Sequence, residues 1–362
     1  MELDPWGSNE VKDYSHVFRE FGLSQIDAKT SLGHYFFERG HIVAHRDFNR
    51  VTDAVKRKKP FVNVTGIACS GGLHFGHKVD IDLFVFLKTL GAKSFFCAAD
   101  LDGYLSRPDT QVGSIDRARE IAVENVSHAL ALGVGEKDIY VQSRGSTKNP
   151  VRYFGFAFEL SKKITANTFE ATYGHVDLGK VASNFLQYAD ILHPQLKEFA
   201  GPMPSVTGIG LDQDPHARIA RDIAKRMSYN FFAPGFVYFK HMRGLREGAK
   251  MSSSRPEATL FLNDPPKEAE RKIMTAFTGG RNTLEEHRRL GGVPEICRVY
   301  EVLNFHLPDS KKLKKIYDDY KSGAMLSSEI KQICIGFAIP WLEKHQEKAR
   351  EKKDAARQIV YG

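Results

Sequence analysis

Between about residues 61 and 242, short apolar runs alternate with longer stretches in which apolar residues recur at helical spacing. This alternation predicts a parallel β-sheet wrapped by helices, an α/β fold. The predicted strands cover residues 61–64, 94–98, 139–141, 206–211 and 236–239. The predicted helices between them cover residues 79–90, 115–130 and 216–227. Ser114 is placed to cap the second helix, and Gly91 is placed to end the first.

The pattern changes at Pro265-Pro266, after which strand signals fade and helical spacing dominates, for example over 312–320 and 330–342. Proline disrupts both helices and ladders, so we predict a boundary there. The predicted division is a less regular, partly helical extension over residues 1–58, a Rossmann-type parallel-sheet domain over 59–265 and an all-helical domain over 266–362.

Composition supports a globular chain that carries an excess of positive charge. The 362 residues are 42% hydrophobic, and the net charge is +8 with a pI near 9.1. The basic residues near the carboxyl end either bind a polyanion or form a solvated helix face, because acidic residues alternate with them. The four cysteines lack paired metal-ligand spacing, which argues against a zinc site or a disulfide framework and fits a reducing compartment. No signal peptide or membrane-spanning run is evident, so we expect a soluble intracellular protein.

Two distant segments carry the chemistry. His74-Phe75-Gly76-His77 lies where a glycine turn leads into a helix, whose free amides and positive dipole end suit a phosphate. Gly76 leaves room for adenine or ribose against the backbone. Lys250-Met251-Ser252-Ser253-Ser254 is cationic and rich in hydroxyl groups, which suits a pyrophosphate leaving group. Together the segments predict a site that activates a carboxylic acid with ATP.

Each segment has an alternative explanation when taken alone. Two histidines at this spacing could bind a metal or serve packing, and a Lys-Met-Ser-Ser-Ser run could be a solvated loop or a kinase target. Their order, their separation and the strand and helix signals around them favour a joint site.

The two segments resemble the HIGH and KMSKS signatures of class I aminoacyl-tRNA synthetases. Within that family the chain is most similar to the tryptophanyl members of the archaeal and eukaryotic type, over nearly its whole length. Further strings that carry the resemblance are Asp4-Pro5-Trp6-Gly7, His45-Arg46-Asp47, Thr65-Gly66, Asp212-Gln213-Asp214-Pro215, Gly279-Gly280-Arg281, Glu285-Glu286-His287-Arg288 and Ser322-Gly323-Ala324-Met325-Leu326.

The resemblance implies a catalytic domain over 59–265 and an anticodon-binding domain over 266–362. It also implies ATP with Mg2+, a homodimer, a cytoplasmic location, and tryptophan and tRNA(Trp) as substrates. Tryptophan would be converted to its adenylate and then transferred to tRNA, by positioning and charge stabilisation. The residues assigned to this chemistry are His74, His77, Lys250 and Ser252, with Gly76, Asp212, Met251 and Ser253 at ATP.

For the amino acid, the resemblance points to Asp102, Gln187 and Gln213, although a strand-end Asp or the Asp-Gln-Asp-Pro string could also be a helix cap. The eukaryotic members place a Tyr and a Gln at the indole nitrogen, where this chain has Val64 and Cys97. Neither replaces the missing hydrogen bond, so Asp102, Gln142 or Tyr188 is expected to take that role.

In the helical region, Phe277, Arg281 and Asn282 match a family cluster that holds the first anticodon base. Asn282 replaces an acid but keeps a carbonyl acceptor. A plain turn before a helix near Thr283 is the alternative. Two other functions compete with the tryptophan enzyme: a tyrosyl-tRNA synthetase and a non-catalytic synthetase-like RNA-binding protein. The intact motifs count against the latter.

Overall fold

A computed structural model describes residues 18, 21–27, 30–146, 149–248 and 250–362. The Asp4-Pro5-Trp6-Gly7 string therefore lies outside the described residues. The strands are β1 (Ser24–Gln25), β2 (Ile42–Arg46), β3 (Phe61–Ala68), β4 (Ala92–Ala99), β5 (Ile139–Val141), β6 (Ser205–Gly210) and β7 (Gly235–Phe239).

The helices of the first two thirds of the described chain flank these strands. They are α1 (Tyr35–Glu38), α2 (Phe48–Lys56), α3 (Phe75–Thr89), α4 (Asp100–Leu105), α5 (Ile115–Ala131), α6 (Pro150–Ser161), α7 (Ala166–Tyr173), α8 (Leu178–Leu192) and α9 (Asp214–Arg226). Ser114 caps α5 through a hydrogen bond to the Arg117 amide, as predicted. Gly91, just past α3, has a φ of 95°, the left-handed conformation that ends helices.

The remaining helices follow Pro265. They are α10 (Pro266–Met274), α11 (Leu284–Leu290), α12 (Arg298–His306), α13 (Ser310–Lys321), α14 (Ser327–Glu351) and α15 (Lys353–Tyr361). Thr283 caps α11 by accepting from the Glu286 amide. The hydrophobic core on one face of the sheet continues into these helices through residues such as Leu303 and Ile330. Because the two regions share this core, the domain boundary at 265/266 remains a prediction.

The strands form one 7-stranded sheet in the order β1-β2-β7-β6-β3-β4-β5. Strands β3 to β7 are mutually parallel where they pair, which confirms the predicted α/β fold. β2, however, pairs antiparallel with β7, and β1 antiparallel with β2. The sheet is therefore mixed. The extension over 1–58 was expected to be irregular and partly helical, but β2 is mostly buried and extends the sheet past β7.

The topology positions a cleft. After β3 the chain moves to β4 on one side, whereas β6 lies on the other side of β3. Ligands of open α/β sheets bind beside the carboxyl ends of the strands at such a change of direction. The His74–His77 turn follows β3, Asp212 follows β6, and Lys250 comes after β7. Among the described residues, no helix is long and apolar enough to cross a membrane.

Candidate active site

A cleft of about 480 Å³ opens at the carboxyl ends of the parallel strands, and we call it the strand-end cleft. It is lined by residues from both segments that the sequence singled out, although they are remote in the chain. The predicted residues that line it are His74, Gly76, His77, Asp102, Gln187, Asp212, Gln213, Lys250, Met251, Ser252 and Ser253.

His74 and His77 form the first turn of α3. His74 is the N-cap, and its Nδ1 accepts from the Gly76 amide at 3.1 Å and from the His77 amide at 3.4 Å. His77 Nδ1 accepts from the His74 amide at 3.3 Å, and the two rings stack with centroids 3.8 Å apart. This reciprocal capping satisfies amides that a helix start otherwise leaves free.

The capping bonds also fix how the rings are protonated. Because Nδ1 of each ring is an acceptor, the single proton of a neutral ring lies on Nε2. Burial, the neighbouring His77 and Lys250 lower the pKa of His74 well below its ordinary value. Burial and Lys250 lower the pKa of His77 to about 4. Near pH 7 both rings are therefore neutral Nε2–H donors rather than cations.

This turn requires a glycine at position 76. A Cβ placed on Gly76 would lie 2.9 Å from Nδ1 and Cε1 of His74, closer than such contacts normally approach. The His74 ring is stacked and buried, so it has little freedom to move aside.

Lys250 and Asp212 form an ion pair across the strand-end cleft. Lys250 Nζ lies 2.6 Å from Asp212 Oδ2, and His241 Nε2 lies 2.9 Å from Asp212 Oδ1. Burial alone would raise the pKa of Asp212, but His241 and Lys250 outweigh it and hold the pKa below its ordinary value. Asp212 is therefore ionised at neutral pH and holds Lys250 in place.

The residues after Lys250 fold back over the glycine turn that precedes α3. Ser252 accepts from Thr259 Oγ1 at 2.7 Å through its carbonyl and donates its amide to the same hydroxyl at 3.2 Å. Ser253 lies against Gly71, where an added Cβ would be 3.0 Å from the Ser253 Cβ. The hydroxyl-rich segment thus borders the first turn of α3.

A smaller pocket of about 80 Å³ adjoins the cleft, and we call it the side pocket. It shares Asp102, Gln187 and Gln213 with the cleft, and its apolar lining includes Val64 and Phe236. Tyr188, one of the three residues expected at an indole nitrogen, does not line it, because its hydroxyl is paired with that of Tyr173 at 2.8 Å.

A buried carboxylate lies in the side pocket. Asp190 Oδ1 accepts from Tyr140 at 2.7 Å and from Tyr153 at 2.6 Å, and Oδ2 accepts from Gln142 Nε2 at 2.8 Å. Gln142 Oε1 in turn accepts from the Asp102 amide at 2.8 Å. Burial raises the pKa of Asp190 to about 6, and these hydrogen bonds limit the rise.

Asp102 lies where the side pocket meets the strand-end cleft. Its carboxylate accepts a short hydrogen bond from the Ser183 hydroxyl. Ser183 lies on α8, one turn before Gln187. α4 and α8 thus bring two of the residues predicted for the amino acid to one side of the cleft.

A separate groove of about 540 Å³, the C-terminal groove, lies near the start of the helical region. It is lined by Phe277, Gly279, Gly280, Arg281 and Ser327, together with Arg246 and Glu247 from the chain before Lys250. Arg281 Nε donates to the Gly291 carbonyl at 2.9 Å. Asn282 is exposed and is not among the lining residues, unlike its two predicted companions.

Sequence reasoning missed several polar residues of the two cavities: His241, Asp190, Arg107 and Asp80. His241 could have been found, because it lies two residues after a predicted strand. Asp80 lies one turn beyond His77 on α3 but was not distinguishable from a solvated helix residue. Asp190 lies only two residues after Tyr188 in the chain, yet only the fold places it at the side pocket.

Comparisons of the chain with known proteins identify the family to which it belongs. The family model for tRNA synthetases class I (W and Y) matches residues 56–335. The chain therefore belongs to that family.

The similar proteins within this family include tryptophan–tRNA ligases. A tryptophan–tRNA ligase of Aeropyrum pernix is 39% identical over 99% of this chain and 97% of its own length. One of Methanocaldococcus jannaschii is 38% identical over 100% of this chain and 99% of its own length. The crystal structure of tryptophanyl-tRNA synthetase from Aeropyrum pernix has a TM-score of 0.88 and covers 99% of this chain and 98% of that chain. The predicted family and the predicted enzyme class are therefore confirmed.

Proposed function

We propose that this chain is a tryptophan–tRNA ligase, which forms tryptophanyl-adenylate from tryptophan and ATP and transfers the tryptophanyl group to tRNA(Trp). The observation that carries this is the meeting of the His74–His77 turn and Lys250 in one cleft, beside a side pocket with a partly apolar lining. The tryptophan specificity of the similar archaeal enzymes supports the choice of substrate.

In the first step, a carboxylate oxygen of tryptophan attacks the α-phosphorus of ATP, the bond from that phosphorus to the bridging oxygen breaks, and pyrophosphate leaves. The neutral Nε2–H groups of His74 and His77 donate to phosphate oxygens as charge develops. Lys250 exchanges its carboxylate partner Asp212 for the pyrophosphate, with Met251, Ser252 and Ser253 alongside. Asp212 is then free to accept from a ribose hydroxyl.

Magnesium enters this scheme with ATP. Among the residues that the structure describes, no group of three or more His, Cys, Asp or Glu side chains could hold an ion. We propose that Mg2+ is held mainly by the phosphates, as is usual for nucleotide-bound magnesium, and that it offsets their charge.

The side pocket is proposed to hold the indole ring. Asp102, Gln187 and Gln213 lie where the pocket meets the cleft and suit the polar head group, while Val64 and Phe236 line its apolar part. Asp190 supplies the acceptor for the indole N–H that Val64 and Cys97 do not supply. A carboxylate would accept from a phenol hydroxyl equally well, so the tyrosine enzyme has to be tested directly.

In the second step, a hydroxyl of the terminal ribose of tRNA attacks the carbonyl carbon and AMP leaves. We propose that residues 59–265 carry out both steps and that residues 266–362 bind the anticodon. Phe277 would stack on a base and Arg281 would pair with it or its phosphate, with Asn282 at the rim of the C-terminal groove.

A homodimer is part of this proposal. Exposed apolar side chains occur on two helices that pack against each other, α6 and α8: Val151 is 84% exposed, Phe158 78% and Leu178 85%. Phe158→Glu should dissociate a dimer that this surface forms, which light scattering would detect. A cytoplasmic location is proposed because the four cysteines are unpaired and buried, as in a reducing compartment.

The test is exchange of labelled pyrophosphate into ATP, with tryptophan and then with tyrosine as the only amino acid. We expect exchange with tryptophan, followed by charging of tRNA(Trp). Exchange with tyrosine alone would make the chain a tyrosyl enzyme, and no exchange with any amino acid would favour a binding protein.

A further inference from the structure

Arg107 is a cation of the strand-end cleft that the mechanism above does not use. It lies just beyond α4 and lines the cleft together with Lys250 and His74. Its Nε is buried and has no hydrogen-bond partner among the described residues. No carboxylate of the described residues forms an ion pair with Arg107. A guanidinium stays charged at any physiological pH, and a buried donor without a partner is costly.

The loop that carries Arg107 is attached to the glycine turn that leads into α3. Ser106 binds the Asp102 carbonyl through both its amide, at 3.0 Å, and its hydroxyl, at 2.7 Å. A turn then brings Gln111 back, and its Nε2 donates to the Ser70 carbonyl at 3.2 Å. Ser70 opens the glycine turn that leads into α3, so Arg107 lies on a short segment held at both ends.

The Lys250 segment reaches the same glycine turn. Ser253 lies against Gly71, the residue next to Ser70. Two segments, one with Lys250 and one with Arg107, therefore border one turn, and both line the cleft. A polyphosphate placed against that turn would lie beside both cations.

Four other basic side chains that line the cleft are already neutral or engaged. His74 and His77 are neutral, and Lys250 and His241 both contact Asp212. We propose that Arg107 binds phosphate oxygens of ATP and stabilises the pyrophosphate that leaves as the adenylate forms. This rests on the proposed function. Its ligand chemistry is a phosphate anion, whose source is either ATP or the acceptor end of tRNA, and the position beside Ser253 favours ATP.

The experiment compares Arg107→Gln and Arg107→Lys with the wild type. Arg117→Gln is the matched control, because Arg117 lies on α5 with a side chain 60% exposed and paired to Glu120. Pyrophosphate exchange is measured over a range of ATP and tryptophan concentrations. Transfer to tRNA is measured separately, in single turnovers that start from preformed adenylate.

Arg107→Gln should lower kcat/KM for ATP roughly 10- to 100-fold, since it removes charge-assisted hydrogen bonds. KM for tryptophan and the rate of transfer should be unchanged. Arg107→Lys should retain part of the activity, and added guanidinium should partly restore Arg107→Gln. Lysine keeps the charge, so loss of activity in both variants without guanidinium rescue would indicate a structural role and overturn the proposal.

Unchanged exchange in Arg107→Gln would also overturn the proposal. Slowed transfer with normal exchange would overturn ATP as the source and assign the phosphate to tRNA. Absence of exchange in the wild type would instead overturn the proposed function itself, so the two failures are distinguishable.

Discussion

The strand-end cleft and the C-terminal groove use charge in different ways. In the cleft, Lys250 is only 15% exposed and is paired with Asp212, which is 10% exposed. At the groove, Arg281 and the neighbouring Asn282 are exposed, and Arg281 Nε donates to the backbone carbonyl of Gly291. The charged side chains of the strand-end cleft are paired and largely buried, whereas those of the C-terminal groove are exposed to solvent.

This difference indicates what each region can contribute. Buried, oriented charges act strongly on a reacting centre, because little water screens them and few groups must reorganise. Exposed groups contribute modestly to binding and can be replaced at small cost. Substitutions in the cleft should therefore affect chemistry, whereas those in the groove should affect only the choice and affinity of RNA.

The largest effect is expected from Lys250→Ala. Loss of the ammonium removes a cation from the leaving group, and the rate of pyrophosphate exchange should fall roughly 100- to 1000-fold with little change in tryptophan affinity. Lys267→Ala, which removes an exposed lysine of α10, is the control and should leave the rate unchanged. Near-normal exchange in Lys250→Ala would contradict the proposed difference between the strand-end cleft and the C-terminal groove.

A smaller effect is expected from Asp190→Asn in the side pocket. The substitution keeps the shape but weakens the acceptor proposed for the indole N–H, so kcat/KM for tryptophan should fall roughly 10- to 100-fold. Tyr153→Phe leaves the carboxylate in place and removes only one of its hydroxyl donors, so it should cost less. If pyrophosphate exchange showed equal losses of kcat/KM in the two variants, the losses would be due to altered packing rather than to a lost hydrogen bond with the indole.

In the C-terminal groove, Arg281→Ala should lower kcat/KM for tRNA roughly tenfold and leave pyrophosphate exchange unchanged. Arg289→Ala removes an equally exposed arginine of α11 and serves as the control for net charge. Impaired exchange in Arg281→Ala would contradict the separation of the two regions.

A further prediction concerns stability, and it tests whether the buried Asp80 carboxyl of the cleft is held neutral in the folded state. Asp80 lines the cleft with Oδ1 unpartnered among the described residues, and burial raises its pKa to about 8, a rise that Thr65 moderates. The unfolded chain loses this proton near pH 4, before the folded chain does. The folded state therefore binds more protons between those values, and stability falls as pH rises through that window.

Asp80→Asn should remove this slope. Its free energy of unfolding, relative to wild type, should increase from pH 5 to pH 8.5 by about 1 to 3 kcal/mol, measured by denaturant titration at several pH values. Asp109→Asn, at an exposed position, is the control. A difference that does not vary with pH would show that Asp80 is not held neutral in the fold.

The sequence predicted the five parallel strands because their apolar runs are bounded by glycine, proline and polar residues. It did not predict β2, since five residues containing His45 and Arg46 have no clear strand pattern, and only pairing with β7 explains them. Partial burial of Arg46 is possible because Asp214 binds it at 2.9 Å, a partner 168 positions away.

For the site, motifs predicted the residues but not their partners. The sequence does not indicate that Asp212 contacts Lys250 and His241, because Asp212 follows β6 whereas the other two residues follow β7. Asp190 was missed for a similar reason, since a carboxylate on an amphipathic helix usually faces water. Its burial depends on hydroxyls from β5 and α6, which only the folded chain brings together.

The geometry at Gly76 affects how a Gly76→Ala substitution should be interpreted. A methyl group there would collide with the His74 imidazole before any nucleotide arrived, and the collision would release the ring that closes the first turn of α3. Selection for a well-formed helix start would therefore preserve this glycine even in a descendant that no longer handled ATP. Loss of activity in Gly76→Ala would report a displaced imidazole rather than a displaced adenine.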